Sequence, residues 1–226
     1  MKKQVVVIGM GRFGISVANT LYSIGHDVLV LDRSEAVVQR MAQQVTHAIQ
    51  ADATNETILK ELGIDNFNVA IVAIGTDIKS SVLCTILLKK LGIRQVIARA
   101  NDELHGSILE KIGADGVIYL ERETGDRVAH RITLSDVVDY MSVAPGYGVV
   151  TMPAPHYLIE KTLGDVGFGQ KGKLEVALLL IQRGKEVIIT PGQGEVIKYG
   201  DRLVLAGTDD NIEKLLTEAR RLTNTT

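Results

Sequence analysis

At 226 residues, 46% from the apolar set AVILMFWYC and 23% charged, the chain can bury a real core as one large domain or two small ones. A net charge of −2 gives no electrostatic case for binding nucleic acid or anionic lipid. With three Phe, six Tyr and no Trp there is little material for a base-stacking platform, so no nucleic-acid partner is expected. The single cysteine, Cys84, excludes an internal disulfide and fits a reducing compartment. It lies in the apolar-rich run Ser81 to Leu88, where a small buried residue is expected. No signal-peptide core follows the N-terminal lysines. The longest apolar runs, such as Val176 to Ile181, fall far short of the ~20 residues that cross a bilayer. The expected location is the cytosol, at a membrane only through a partner.

In chain order, Gln4 to Ile8 reads as a strand and Arg12 to Ile24 as a helix closed by Gly25. Asp27 to Leu31 is the second strand, and Ser34 is placed to cap a helix over Glu35 to Gln44. A short strand at His47 to Gln50, a helix over Glu56 to Gly63 and a strand at Val69 to Ala73 follow. Next come a helix from Ile78 to Leu91, a strand at Gln95 to Arg99, a helix from Glu103 to Ile112 and a strand at Gly116 to Tyr119. Six apolar strands alternating with helices predict an α/β fold, a Rossmann-like, doubly wound parallel sheet.

From Glu121 the pattern changes. A mostly polar helix is expected to run to Met141, with Val128, Ile132, Val137 and Val138 along it, until Ala144-Pro145-Gly146-Tyr147-Gly148 breaks it. Strands are expected at Gly148 to Met152, Leu174 to Gln182, Glu186 to Thr190 and Arg202 to Ala206, with a hairpin at Arg183-Gly184-Lys185 and a last helix over Asp210 to Leu222. The expected division is a nucleotide-binding domain over 1–121, a linker helix over 122–144 and a small α+β domain over 145–226.

Gly9-Met10-Gly11-Arg12-Phe13-Gly14 has the G-x-G-x-x-G spacing in the context that gives it meaning. It follows a strand, opens a helix, and an acid, Asp32, ends the next strand. Gly9 suits the tight turn, Gly11 the approach of backbone to a pyrophosphate, and Gly14 close helix–sheet packing. Asp32 would accept from ribose hydroxyls and repel a 2′-phosphate, an exclusion that Arg33 weakens. Ligands in such sheets lie outside the carboxyl ends of the strands. Asp52-Ala53-Thr54 and Ile74-Gly75-Thr76-Asp77 should therefore wall the same groove. Asp52 and Asp77 serve equally well as caps for the helices that follow. Arg99 could reach a phosphate or form an ordinary ion pair.

An oxidoreductase would need an acid or base near a nicotinamide. His26 and His47 start strands away from the ligand edge, His105 and His130 read as partly exposed helix residues, and His156 lies in a loop with no nearby carboxylate in sequence. No HExxH, CxxC, GxSxG or Walker sequence is present. A nucleotide site without evident chemistry points to a sensor, with an NAD-dependent oxidoreductase as the alternative.

Val7 to Gly14, Ala51-Asp52-Ala53-Thr54, Val72-Ala73-Ile74-Gly75 and Leu109 to Asp115 (L-E-K-I-G-A-D) carry a resemblance. The chain resembles the cytosolic regulatory subunits of bacterial potassium-uptake systems, the KtrA/TrkA type built from RCK domains, and the segment after Tyr147 looks like their C-terminal ligand-sensing domain. The resemblance implies binding of ATP or ADP, or of NAD(H), by Gly9, Gly11, Arg12, Phe13, Gly14 and Asp32 with the groove residues above. It implies that Arg12 faces the terminal phosphates and that Glu121 joins a divalent or monovalent cation site at a subunit interface. A helix-start carboxylate favouring the dipole is the alternative for Glu121. It also implies a homo-oligomer, from dimer to octameric ring, beneath an integral membrane K⁺-translocating subunit; related C-terminal domains can bind cyclic di-AMP. Ile15 departs from the pattern, since close relatives often carry glycine there.

Overall fold

The computed structural model describes residues 2–133, 137–168 and 175–223, and the chain divides into two units, 1–121 and 122–226. In the first, strands β1 (Gln4–Ile8), β2 (Asp27–Asp32), β3 (His47–Gln50), β4 (Val69–Val72), β5 (Gln95–Arg99) and β6 (Gly116–Ile118) form one sheet in the order β3-β2-β1-β4-β5-β6. Every pairing is parallel. Successive strand residues point to opposite faces, so an unbroken run such as Val5-Val6-Val7-Ile8 must be covered on both sides. It is. Val6, Ile8, Leu29 and Leu31 pack with Leu59 and Leu88 on one face, while Val5, Val7, Val28 and Val30 pack with Met41 on the other. The covering helices are α1 (Arg12–Ser23), α2 (Glu35–Met41), α3 (Glu56–Glu61), α4 (Ile78–Lys90) and α5 (Glu103–Lys111). The chain winds outward from β1 to β3 and then in the other direction from β4 to β6, which opens a crevice at the carboxyl ends of β1 and β4.

Cys84 is fully buried in this core, where burial and the nearby Asp52 charge push its thiol up to about 12. The native protein should therefore resist a maleimide or disulfide reagent at pH 8 and react only on denaturation. Fast labelling without denaturant would contradict this placement. His105, expected at a partly exposed helix position, is 1% exposed. Its Nδ1 accepts from the Asn101 N–H at 3.2 Å, and burial holds the ring toward its neutral form. His105 lies on the side of α5 that also buries Gly106 and Leu109.

The helix expected from Glu121 to Met141 is corrected. α6 spans Leu120–Thr133, residues 134–136 lie outside the described ones, and Asp139–Ala144 is a strand, β7. Ala144 to Tyr147 is not a domain break but the turn of a hairpin into β8 (Tyr147–Pro153), with Gly146 at φ +74. The second unit is a five-stranded antiparallel sheet, β10-β9-β11-β8-β7, with β9 at Ala177–Arg183, β10 at Glu186–Ile189 and β11 at Arg202–Thr208. Leu174, read as the start of the third of these strands in sequence, is outside the described residues. Gly184 and Lys185 make the hairpin turn, Gly184 at φ +60. Short helix α7 (Leu163–Val166) and the terminal α8 (Asp209–Thr223) complete the unit, whose core includes Val150, Ile181, Leu203, Leu205, Ile212 and Leu215.

An arginine ties this second sheet to its loops. The Arg183 Nε and NH2 groups donate to the two oxygens of Asp201 at 2.9 and 2.8 Å, NH1 reaches Glu195 at 3.0 Å, and NH2 also donates to the Val196 carbonyl at 2.8 Å. The Asp201 side chain is completely buried and accepts a further bond from the Lys198 N–H at 2.8 Å. Removing a charge from such a pair leaves buried polar groups uncompensated.

Candidate functional site

The crevice at the ends of β1 and β4 is a cleft of about 290 Å³. Of the residues singled out in the sequence, the cleft brings together Gly9, Gly11, Asp32, Arg33, Asp52, Ala53, Thr54, Ile74, Gly75, Thr76 and Arg99. Arg12, Phe13, Gly14 and Glu121 are not among its lining residues. Gly14 is buried beneath the loop and Phe13 packs half-buried on the core; Arg12 is exposed, with no hydrogen bond or ion pair among the described residues. Ile15 packs against the same core as Phe13, so the departure at this position falls on the buried side of α1.

The glycines divide the work as their surroundings require. Gly9 sits at φ +91, which favours glycine, and its N–H donates to the Leu31 carbonyl at 2.9 Å. A Cβ on Gly14 would stand 2.0 Å from the Gly9 carbonyl oxygen, so nothing larger fits between helix and turn. Around Gly11 a Cβ would meet nothing within 4 Å, which leaves room for a ligand. Gly11 is also the cap residue of α1, and it supplies no side-chain cap; no acidic residue stands in the first turn. By contrast Asn55, Asp77 and Asp102 cap α3, α4 and α5 with their side chains. The start of α1 is thus a set of open N–H donors at the positive end of a helix dipole, a cradle for an anion.

The walls of the cleft at the ends of β2 and β3 are acidic. Asp32 at the end of β2 accepts from the Met10 N–H at 2.6 Å and from the Ser34 N–H at 2.8 Å, one bond to each oxygen. Two backbone groups therefore fix the carboxylate and leave its remaining lone pairs for hydroxyl donors. Ser34 uses its N–H here, and no side-chain cap bond to α2 forms. The cap for α3 is Asn55, so capping does not account for Asp52; Asp77 does cap α4, accepting from the Ser80 N–H at 3.0 Å. Asp52 is bound by Thr54 through its N–H at 2.9 Å and its hydroxyl at 2.6 Å. That hydroxyl, then the Thr54 N–H and Arg33, hold the Asp52 carboxyl below its ordinary value against its partial burial, and Ser80 does the same for Asp77. Ser80 and the Met10 N–H are the participants that sequence spacing did not single out. Only the start of α4 folding over the cleft brings Ser80 there.

Arg99 lines the cleft and donates to Glu121 at 2.7 Å, so the ion-pair reading of Arg99 is the one realised in this structure. Its guanidinium lies against the Gly75 turn, where a Cβ would approach to 2.7 Å. No group of three or more metal-ligating side chains occurs among the described residues. Nor is any described helix long and apolar enough to cross a membrane.

A parallel six-stranded sheet with a glycine turn, an uncapped helix start and an acid ending β2 defines the class: a Rossmann-like domain, here followed by a small antiparallel-sheet unit. Residues 5–120 match the TrkA-N domain family and residues 149–219 the TrkA-C domain family, and the chain belongs to this family. It is 38% identical over 95% of its length to the Ktr system potassium uptake protein C of Bacillus subtilis, covering 96% of that protein. It is 36% identical over 96% of its length to Ktr system potassium uptake protein A of the same organism, again covering 96%. Among solved structures it matches the GsuK RCK domain with a TM-score of 0.64 at 17% identity, over 96% of this chain. The chain spans about half of that structure's length, 47%, and the likeness is one of fold. The two Bacillus subtilis relatives are named for potassium uptake and not as oxidoreductases, and the oxidoreductase alternative is set aside.

Proposed function

We propose that the chain is a regulatory subunit of a potassium-uptake system that senses adenine nucleotides, ATP against ADP, in the cleft of its first unit. The observation that supports this most directly is the polarity of the cleft. Open N–H groups stand at the start of α1, and fixed carboxylates stand beside the glycine turn, at Asp32, and after β3, at Asp52. A nucleotide has the complementary order, phosphates and then hydroxyl and amino donors. Gly9, Gly11 and Gly14 shape the phosphate turn, and Asp32 takes the ribose.

Arg12, at the first position of α1 and without an ion pair among the described residues, is assigned to the third phosphate, with Phe13 anchoring the turn behind it. ATP would favour one arrangement of a homo-oligomer because only ATP reaches Arg12, and a ligand shifts an equilibrium only through such a differential contact. That arrangement would act on an integral membrane K⁺-translocating partner from the cytoplasmic side. Glu121 offers one carboxylate to a cation shared with a second subunit, in exchange for its pair with Arg99.

Titration calorimetry of ATP, ADP, NAD⁺, NADH and cyclic di-AMP, with and without divalent cations, tests the reading. Arg12→Ala should weaken ATP about tenfold, the scale of a charge-assisted hydrogen bond, and leave ADP within about twofold. Equal losses for both would remove Arg12 as the phosphate counter.

A further inference from the structure

His105 is the third residue of α5, 1% exposed, and its hydrogen bonds fix where its proton lies. The Asn101 N–H can only donate, so Nδ1, 3.2 Å away, keeps a lone pair and the neutral ring carries its proton on Nε2. Nε2 is buried with no partner among the described residues. A second proton could enter only at Nδ1, where it would meet the Asn101 N–H, donor against donor. It would also place a buried positive charge in the first turn of a helix, at the positive end of the dipole.

The surroundings do little to hold such a charge. Asp102 favours it, but burial outweighs Asp102, whose Oδ1 already accepts from the His105 N–H at 2.8 Å. Glu103, next along α5, is exposed. From the end of β6, Tyr119 packs over Gly106 so closely that a Cβ there would collide with its hydroxyl. Lys89 of α4 meets the segment after α5 at its far end, beside Gly113, and pairs there with Asp115.

We propose that His105 is a proton-operated latch. Neutral, it holds the turn over 100–102 and the start of α5 closed through the Asn101 N–H; protonated, it leaves its seat and releases them. That turn follows Arg99 directly, so the backbone set free is the one that carries the Arg99–Glu121 pair. The effector is the proton itself, and no nucleotide is required. The sign follows from burial. A histidine held neutral in the closed state contributes its full stability above its open value, about pH 6.5, and that contribution shrinks as pH falls below it.

Hydrogen exchange of the full-length protein, followed by mass spectrometry between about pH 7.5 and pH 5.5 and corrected for the intrinsic pH dependence of exchange, tests the latch. The opening constant over residues 100–110 should rise about tenfold in wild type across this range, the ratio set by an open form that titrates near 6.5 and a closed form that stays neutral. His105→Asn keeps an acceptor near the Nδ1 position and cannot take a proton, so its protection there should stay within about twofold. Nitrogen-15 NMR of the wild-type ring gives a reading that needs no variant: Nε2 protonated, Nδ1 bare, and no titration of the folded protein down to about pH 5.5. Unchanged wild-type protection, an equal fall in His105→Asn, or a ring that titrates near pH 6.5 in the folded protein each overturns the latch.

Discussion

Gly14→Ala is expected to dismantle the glycine turn and to destabilise the first unit by about 3–5 kcal/mol, the range in which a single substitution has an identifiable steric cause. The alanine methyl would stand 2.0 Å from the Gly9 carbonyl oxygen, 3.1 Å from its carbon and 3.2 Å from the Ala73 methyl. The first obstacle is backbone, so no rotamer relieves it. Gly9 cannot retreat freely either, because its N–H is bonded to Leu31 and Ile74 and Ala73 crowd its own α-carbon. Gly11→Ala is the control. Gly11 sits at φ −70 with open space around it, so this variant should fold with normal stability and lose only the close approach of a phosphate. Hydrogen exchange of the β1 and β4 amides reads the first unit by itself, which matters because two units need not unfold together. Equal protection in Gly14→Ala and wild type would refute the steric argument.

Asp201→Ala is expected to cost the second unit about 3 kcal/mol, the lower end of what removing one partner of a buried ion pair costs. The Arg183 Nε then has no acceptor, the Lys198 N–H loses its own, and Glu195 remains the only counter-charge for Arg183 among the described residues. The pair also sets a pH dependence. Burial pushes the Asp201 carboxyl up, but the Arg183 hydrogen bonds and the Lys198 N–H outweigh it, and the group ionises below its ordinary value. A carboxyl depressed in the folded state contributes its full stability above the unfolded value, about pH 4, and loses it as pH falls through the folded value. Urea melts of the second unit should therefore weaken steeply below about pH 4 in wild type and less steeply in Asp201→Asn. Parallel pH profiles would show that the ion pair contributes nothing to stability.

The first unit was legible because its signals are local. Runs of β-branched residues, glycines at helix ends and the G-x-G-x-x-G turn each follow from backbone sterics within a few residues. Strand order then follows from parallel connectivity. The second unit was less so. Between Gly125 and Pro145 no glycine or proline interrupts the chain, and Val128 and Ile132 at helical spacing run on toward Val137 and Val138. A helix is the natural local reading of that stretch. What makes Asp139–Ala144 a strand is its ladder to β8 and the seat of Tyr140 in the core, where its hydroxyl donates to Asp209 at 2.8 Å.

The amino-acid sequence by itself determined the doubly wound sheet, the position of the phosphate turn and the acid that ends β2, since each rests on periodicity or on a spacing imposed by the backbone. Only the tertiary structure decided which side chains share the cleft. It moved Arg12 and Glu121 out of the lining, paired Arg99 with Glu121, and brought Arg33 against Asp52 after β3 and against Asp77 and Ser80 at the start of α4. Loops after successive parallel strands are distant in sequence and adjacent in space, so such a constellation leaves no trace in any local window.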